Sequence, residues 1–126
     1  MATVSIEEFR KAVAALVEAH IAFEKQEDVS LKDMLRDAVI QRFEFCVELA
    51  WKTSIKKLGL AVTAPKPAMR EMGRSGLIEN VERWLDFVDA RNKSSHTYDE
   101  RIAREVLDVI PDFLDSVREL LQRLKA

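Results

Sequence analysis

The chain has 126 residues, 48% of them apolar and 33% charged, with only three glycines and three prolines. That length supports one domain with a real core, residues 1–126, and the composition is that of a helical protein. A net charge of −2 excludes broad electrostatic adhesion to nucleic acid or membrane, so any RNA contact has to be local.

The first helix is predicted from about residue 5 to 25. Ile6, Phe9, Val13, Leu16 and Phe23 recur there at steps of three, four and seven, the spacing of one helix face. Ser5 with Glu8 has the form of a capping box at its start. His20 falls on the same stripe, where a histidine is ordinarily a satisfied core or interface residue.

A second helix is expected from about Leu31 to Leu58, with Gly59 as its stop signal. It is apolar on most sides between Ala38 and Trp51, as the central helix of a bundle would be. A narrow polar strip survives in Gln41, Glu44, Glu48 and Lys52. Glu48 and Lys52 have the favourable acid-before-base order at i, i+4. Such a strip serves either as a solvated face or as a contact surface for a partner or substrate. Cys46 lies among these apolar residues, where it reads as structural. A lone cysteine points to a reducing cytoplasm.

Leu60 to Pro67 reads as a connector, because two prolines resist helix. A short helix follows from about Ala68 to Met72, closed by Gly73 and Gly76. The next runs from about Glu79 to Asn92, with Val81, Trp84, Leu85 and Val88 facing inward. Arg91 extends that stripe, where its guanidinium either lies along the Trp84 indole or points inward or into a groove. Thr97 and Glu100 form a second capping box, so the last helix is predicted to start there and to reach about Lys125. Its seam of Ile102, Val106, Val109, Phe113, Val117, Leu120 and Leu124 serves core packing or self-association. Pro111 should kink it. Four long helices and one short one make an all-α, up-and-down bundle. No apolar run approaches the ~20 residues of a membrane span, and the N-terminus has no signal-peptide shape, so a cytoplasmic location is expected.

The chemistry concentrates between Arg91 and Tyr98, in a chain with two histidines and one tyrosine. In a continuous helix Arg91 and His96 would stand about 140° apart around the axis and share no face. A helix end near Lys93 and a cap at Thr97 make Ser94 to His96 a turn, which folds the imidazole back toward the guanidinium. Asn92 and the two serines then supply further hydrogen-bonding groups. Histidine transfers protons near neutrality, and arginine grips phosphate in a bidentate way. RNA cleavage by the ribose 2′-hydroxyl needs an acid as well as a base, so a nuclease built on one such histidine must be a two-fold dimer. The plainer use of the same residues is a helix-end salt bridge and a turn histidine. No cluster with metal-ligand spacing, no Gly-rich phosphate loop and no Gly-x-Ser-x-Gly elbow accompanies them. No metal or other cofactor is expected.

The stretch Val39-Ile40-Gln41-Arg42-Phe43-Glu44-Phe45 with Glu48-Leu49-Ala50-Trp51-Lys52 is one motif. Trp84, Asp89-Ala90-Arg91-Asn92 and Ser95-His96-Thr97-Tyr98-Asp99-Glu100 follow it. In order and spacing these residues closely resemble the nucleotidyltransferase substrate-binding protein family, within the HEPN group of all-helical domains. The resemblance spans nearly the whole chain. It implies a small helical bundle, usually dimeric, encoded beside a minimal nucleotidyltransferase and similar to the helical C-terminal domain of aminoglycoside nucleotidyltransferases. In HEPN relatives Arg-x4-His in the dimer cleft is a metal-independent ribonuclease site, and the gene pair behaves as toxin and antitoxin. There the nucleotidyltransferase neutralises the toxin by adding AMP to the tyrosine two residues after the histidine. Carried over, this assigns catalysis to Arg91 and His96, modification to Tyr98, and support to Asn92 and Ser95. The chain has no Gly-Ser followed by an Asp-x-Asp pair, so transfer chemistry belongs to a second protein. The leading expectation is the ribonuclease toxin of such a pair. The alternative is a non-catalytic substrate- or nucleotide-binding subunit of a two-component nucleotidyltransferase, and a third class is a purely structural dimerisation module.

Overall fold

The computed structural model describes residues 5–126. They are all helix and connection, with six α-helices and one 3₁₀ turn. Helix α1 spans Glu7–Lys25 and buries Phe9, Ala12, Val13, Leu16 and Ala19. Its expected capping box does not form. The cap position is Ile6, and the Ser5 hydroxyl accepts from the Glu7 N–H at 3.2 Å, while Glu8 stays exposed. Helix α2 runs Val29–Leu58, capped by the Asp28 carboxylate on the Leu31 N–H. It ends at Gly59, whose φ of 70° is readily adopted only without a side chain. Thirty residues make a rod of about 45 Å, and α2 packs on all five other helices across its length.

The connector before the next helix is shorter than expected. Helix α3 spans Pro65–Arg74 rather than residues 68–72, because Pro65 and Pro67 both sit in its first turn, where backbone N–H groups have no helical acceptor to lose. Gly73 lies inside α3 instead of closing it. A Cβ there would collide with Cγ2 of Val81, so the glycine allows close approach to the following helix. That helix, α4, spans Val81–Lys93 and is capped by the Asn80 side chain on the Arg83 N–H. Its inward face is turned toward Phe87. Trp84, Phe87, Val88 and Ala90 are buried, whereas Val81 and Leu85 are only half-buried.

The last predicted helix is two helices. Helix α5 spans Glu100–Asp108 and α6 spans Ile110–Lys125, parted at Val109. Pro111 produces a break instead of a kink: its ring would crowd the preceding turn, and the chain relieves this by starting a new helix with Pro111 in the first turn. The seam nonetheless continues across the break, with Val106, Phe113, Val117, Leu120 and Leu124 buried. No helix among the described residues is long and apolar enough to cross a membrane.

The buried residues form one hydrophobic cluster drawn from all six helices. Phe113 is its hub. It meets Phe43, Trp84 and Phe87 edge to face at centroid distances of 4.9, 5.8 and 5.2 Å and is fully buried. Phe113→Ala should therefore destabilise the protein by about 3–5 kcal/mol, the range for emptying a large aromatic site in a rigid core. Urea unfolding measures this, and a loss below about 1 kcal/mol would show that the core refills the space.

Candidate functional site

Helix α2 presents its polar strip toward the end of α4. Gln41 is exposed, and the Glu44 and Glu48 side chains are each 29% exposed. Arg91, in the last turn of α4, reaches across to them. Its Nε donates to Oε1 of Glu48 at 3.2 Å, and its Nη1 lies 4.0 Å from Oε2 of Glu44. Lys52 Nζ approaches the other Glu48 oxygen at 3.4 Å. Arg91 does not lie along Trp84, which is enclosed by Phe87 and Phe113. The cation over an aromatic ring on this helix is Arg83, 5.4 Å from the centre of Phe87. Two half-buried carboxylates offer a guanidinium more than an already enclosed indole does.

Gln41, Glu44, Glu48 and Arg91 line an open cleft of about 510 Å³ together with Ala12, Ala15, Arg42 and Phe45. The two alanines leave the space, since larger side chains on that face of α1 would fill it. Phe45, 50% exposed, forms an apolar wall. Lys52 stays outside, in a smaller hollow beside Ser5, Glu8 and Leu49. Cys46, behind this face, is fully buried, and burial pushes its thiol up to about 12, so at neutral pH it is no nucleophile. His20 is half-buried at the edge of the bundle, 3.3 Å from Glu24.

Beyond Lys93 the chain makes the 3₁₀ turn Ser94–His96, as expected. Ser94 is buried, and its hydroxyl lies 2.6 Å from Oε2 of Glu44 and 2.5 Å from the Arg91 carbonyl oxygen. Ser95 is exposed and bonds only the Asn92 carbonyl, at 3.2 Å. Asn92 is exposed too. The exposed His96 places Nδ1 3.3 Å from the Tyr98 hydroxyl, with the rings edge to face at 5.8 Å. Tyr98 is 85% exposed. The second capping box is not made. Asp99 caps α5 by accepting from the Arg101 N–H at 2.9 Å, so Thr97 and Tyr98 remain in the turn and Tyr98 is not the first residue of a helix. Asp and Thr are both good caps, and with Asp99 as the cap the Glu100 carboxylate reaches Arg36 of α2, at 3.1 Å.

Arg91 is thus joined to Glu44 and Glu48, and His96 to Tyr98. Ser94, the first residue of the turn that carries His96, bonds on the Arg91 side, to Glu44 and the Arg91 carbonyl, and Ser95 bonds a local carbonyl. Ala12, Ala15 and Arg36 escaped sequence reasoning. Their only signal was an apolar or charged residue on a helix, which every helix has.

Comparison with known proteins places the chain in a family. Residues 4–126 match the family described as nucleotidyltransferase substrate binding protein like. A Haemophilus influenzae protein named probable ribonuclease HepT is 35% identical over 103 residues, covering 75% of this chain and 70% of that one. A solved Haemophilus influenzae structure, described as the fold of a substrate binding domain of a nucleotidyltransferase, superposes with a TM-score of 0.80. The two are 29% identical, covering 97% of this chain and all of that one. A Thermus thermophilus crystal structure superposes with a TM-score of 0.79 at 35% identity, over 94% of this chain and 99% of its own. With the family matched over residues 4–126 and the fold matched over nearly the whole chain, the chain belongs to the nucleotidyltransferase substrate binding protein-like family.

Proposed function

We propose that this protein is a metal-independent endoribonuclease, the toxin of a pair whose antitoxin is a minimal nucleotidyltransferase. The observation that carries the reading is the exposed His96 imidazole on a turn whose first residue, Ser94, bonds the Glu44 carboxylate that also faces Arg91. The name of the Haemophilus relative supports it. With Nε occupied by Glu48, the two terminal nitrogens of Arg91 are the edge that a phosphate would take. One imidazole removes the ribose 2′-hydroxyl proton as that oxygen bonds to phosphorus. The bond from phosphorus to the 5′-oxygen breaks, and that oxygen takes a proton from a second imidazole. The products are a 2′,3′-cyclic phosphate and a 5′-hydroxyl. The second imidazole is His96 of another copy, so the active species is a homodimer with both segments in one cleft. Asn92 and Ser95 supply hydrogen bonds to RNA at its rim.

The test is expression of the chain alone and with a minimal nucleotidyltransferase from the same genome. Growth arrest alone and relief on co-expression are expected, as is a solution mass twice that of the chain. An active monomer would remove the two-histidine mechanism.

One observation favours a second reading, a substrate-binding subunit of a two-component nucleotidyltransferase. The cleft of about 510 Å³ has the size of a small-molecule site, and Glu44 and Glu48 oppose a phosphate there. Small-molecule binding that E48Q weakens, in a protein that neither cleaves RNA nor arrests growth, would establish that reading instead.

A further inference from the structure

We infer that Glu44 and Arg36, both on α2, are positioning residues that clamp the loop bearing His96 and Tyr98 at its two ends; its catalytic purpose rests on the ribonuclease reading above. The loop has no anchor of its own in the core, since no residue from Ser95 to Glu100 is buried. Beyond its continuity with α4 and α5, side chains of α2 tie it down at both ends. At the near end the buried Ser94 hydroxyl meets the Glu44 carboxylate at 2.6 Å, across 50 residues of sequence. A serine hydroxyl has one proton to give, and a charged carboxylate is a stronger acceptor than the Arg91 carbonyl beside it. At the far end Nη1 of Arg36 reaches both Glu100 oxygens, at 3.1 and 3.2 Å, across 64 residues. The Arg36 side chain is only 17% exposed, which shields this pair from solvent on one side.

The ties matter because the loop has length to spare. Positions 36 and 44 are about 12 Å apart along a helix rising 1.5 Å per residue. The six steps from Ser94 to Glu100 could span about 20 Å if extended. A segment with that excess length and no buried side chain wanders unless its ends are fixed. Glu44 also lies 4.0 Å from Arg91 Nη1, so one carboxylate sets the guanidinium and the imidazole-bearing turn relative to each other. Glu100 is largely exposed, which makes the far tie the weaker of the two.

The experiment measures RNA cleavage and backbone hydrogen exchange on the full chain. E44A should lower kcat about 10–100-fold with KM little changed, the cost of misplaced catalytic groups. It should also speed exchange across residues 94–100 while leaving α1 and α6 as they were. E44Q keeps an oxygen that accepts from Ser94 and should recover to within about threefold. R36E and E100R should each cost about threefold, and the charge-swapped R36E/E100R pair should regain the loss. The clamp is overturned if E44A keeps wild-type kcat and exchange, if E44Q is as impaired as E44A, or if the swap recovers nothing. A wild-type chain that cleaves no RNA overturns the ribonuclease reading instead. The exchange of residues 94–100 in E44A then decides whether the clamp exists.

Discussion

His96→Ala should lower RNA cleavage about 10²–10⁴-fold, the usual contribution of a positioned general acid or base. The fold should survive, because His96 is exposed and, among the described residues, its side chain hydrogen-bonds only Tyr98, at 3.3 Å. Arg91→Ala should fall as far for a different reason. It removes the cation that α4 contributes to the cleft and takes from Glu44 and Glu48 the guanidinium that faces both of them, so their charge weighs more against the incoming phosphate. Arg91→Lys separates charge from geometry. An ammonium restores the charge but cannot bond Glu48 and phosphate through separate edges, so recovery should be partial. Cleavage should persist in chelator and leave cyclic phosphate ends. Full cleavage by His96→Ala, or activity lost to chelator and restored by a divalent cation, would sink the mechanism.

Co-expression with the nucleotidyltransferase should add the mass of one AMP residue per chain at Tyr98, and the modified protein should no longer cleave. The phenol is the nucleophile. Its oxygen bonds to the α-phosphorus of ATP, pyrophosphate leaves, and the phenolic proton is lost. Tyr98 is 85% exposed in a turn, open to a second protein's active site. It is not at a helix N-terminus, so no helix dipole holds the new phosphate. The modification acts through proximity: the hydroxyl lies 3.3 Å from His96 Nδ1, and the adduct covers the imidazole with bulk and negative charge. Tyr98→Phe should cleave within about threefold of wild type, since it loses one exposed hydrogen bond, yet escape neutralisation. Suppressed toxicity with no mass change would mean that the partner inhibits by binding alone.

Much of this protein was legible in its sequence because the physics involved is local. Apolar spacing of three and four places one face of each helix inward whatever the neighbours are, and the stripes of α1, α2 and α6 lie where their periodicity puts them. Gly59 ends α2 because only glycine is comfortable at its φ of 70°. A turn at Ser94–His96 followed from the need to end one helix and begin another within a few residues. The residues of the candidate site were singled out by resemblance, as a pattern of types at fixed spacings.

Choices between locally equivalent options belonged to the tertiary structure. Pro65 and Pro67 suit an irregular connector and a first helical turn equally, and α3 takes the second by burying Ala68, Met69 and Met72. Thr97 and Asp99 are both competent caps, and α5 begins after Asp99, where Glu100 reaches Arg36. Arg91 had Trp84 one heptad behind it and Glu48 on another helix, 43 residues away in sequence. It went to Glu48 because Trp84 was already enclosed by the aromatic core. Periodicity determines which face of a helix turns inward, whereas the partner across the gap depends on which helix packs there, and that is decided only when the whole core closes.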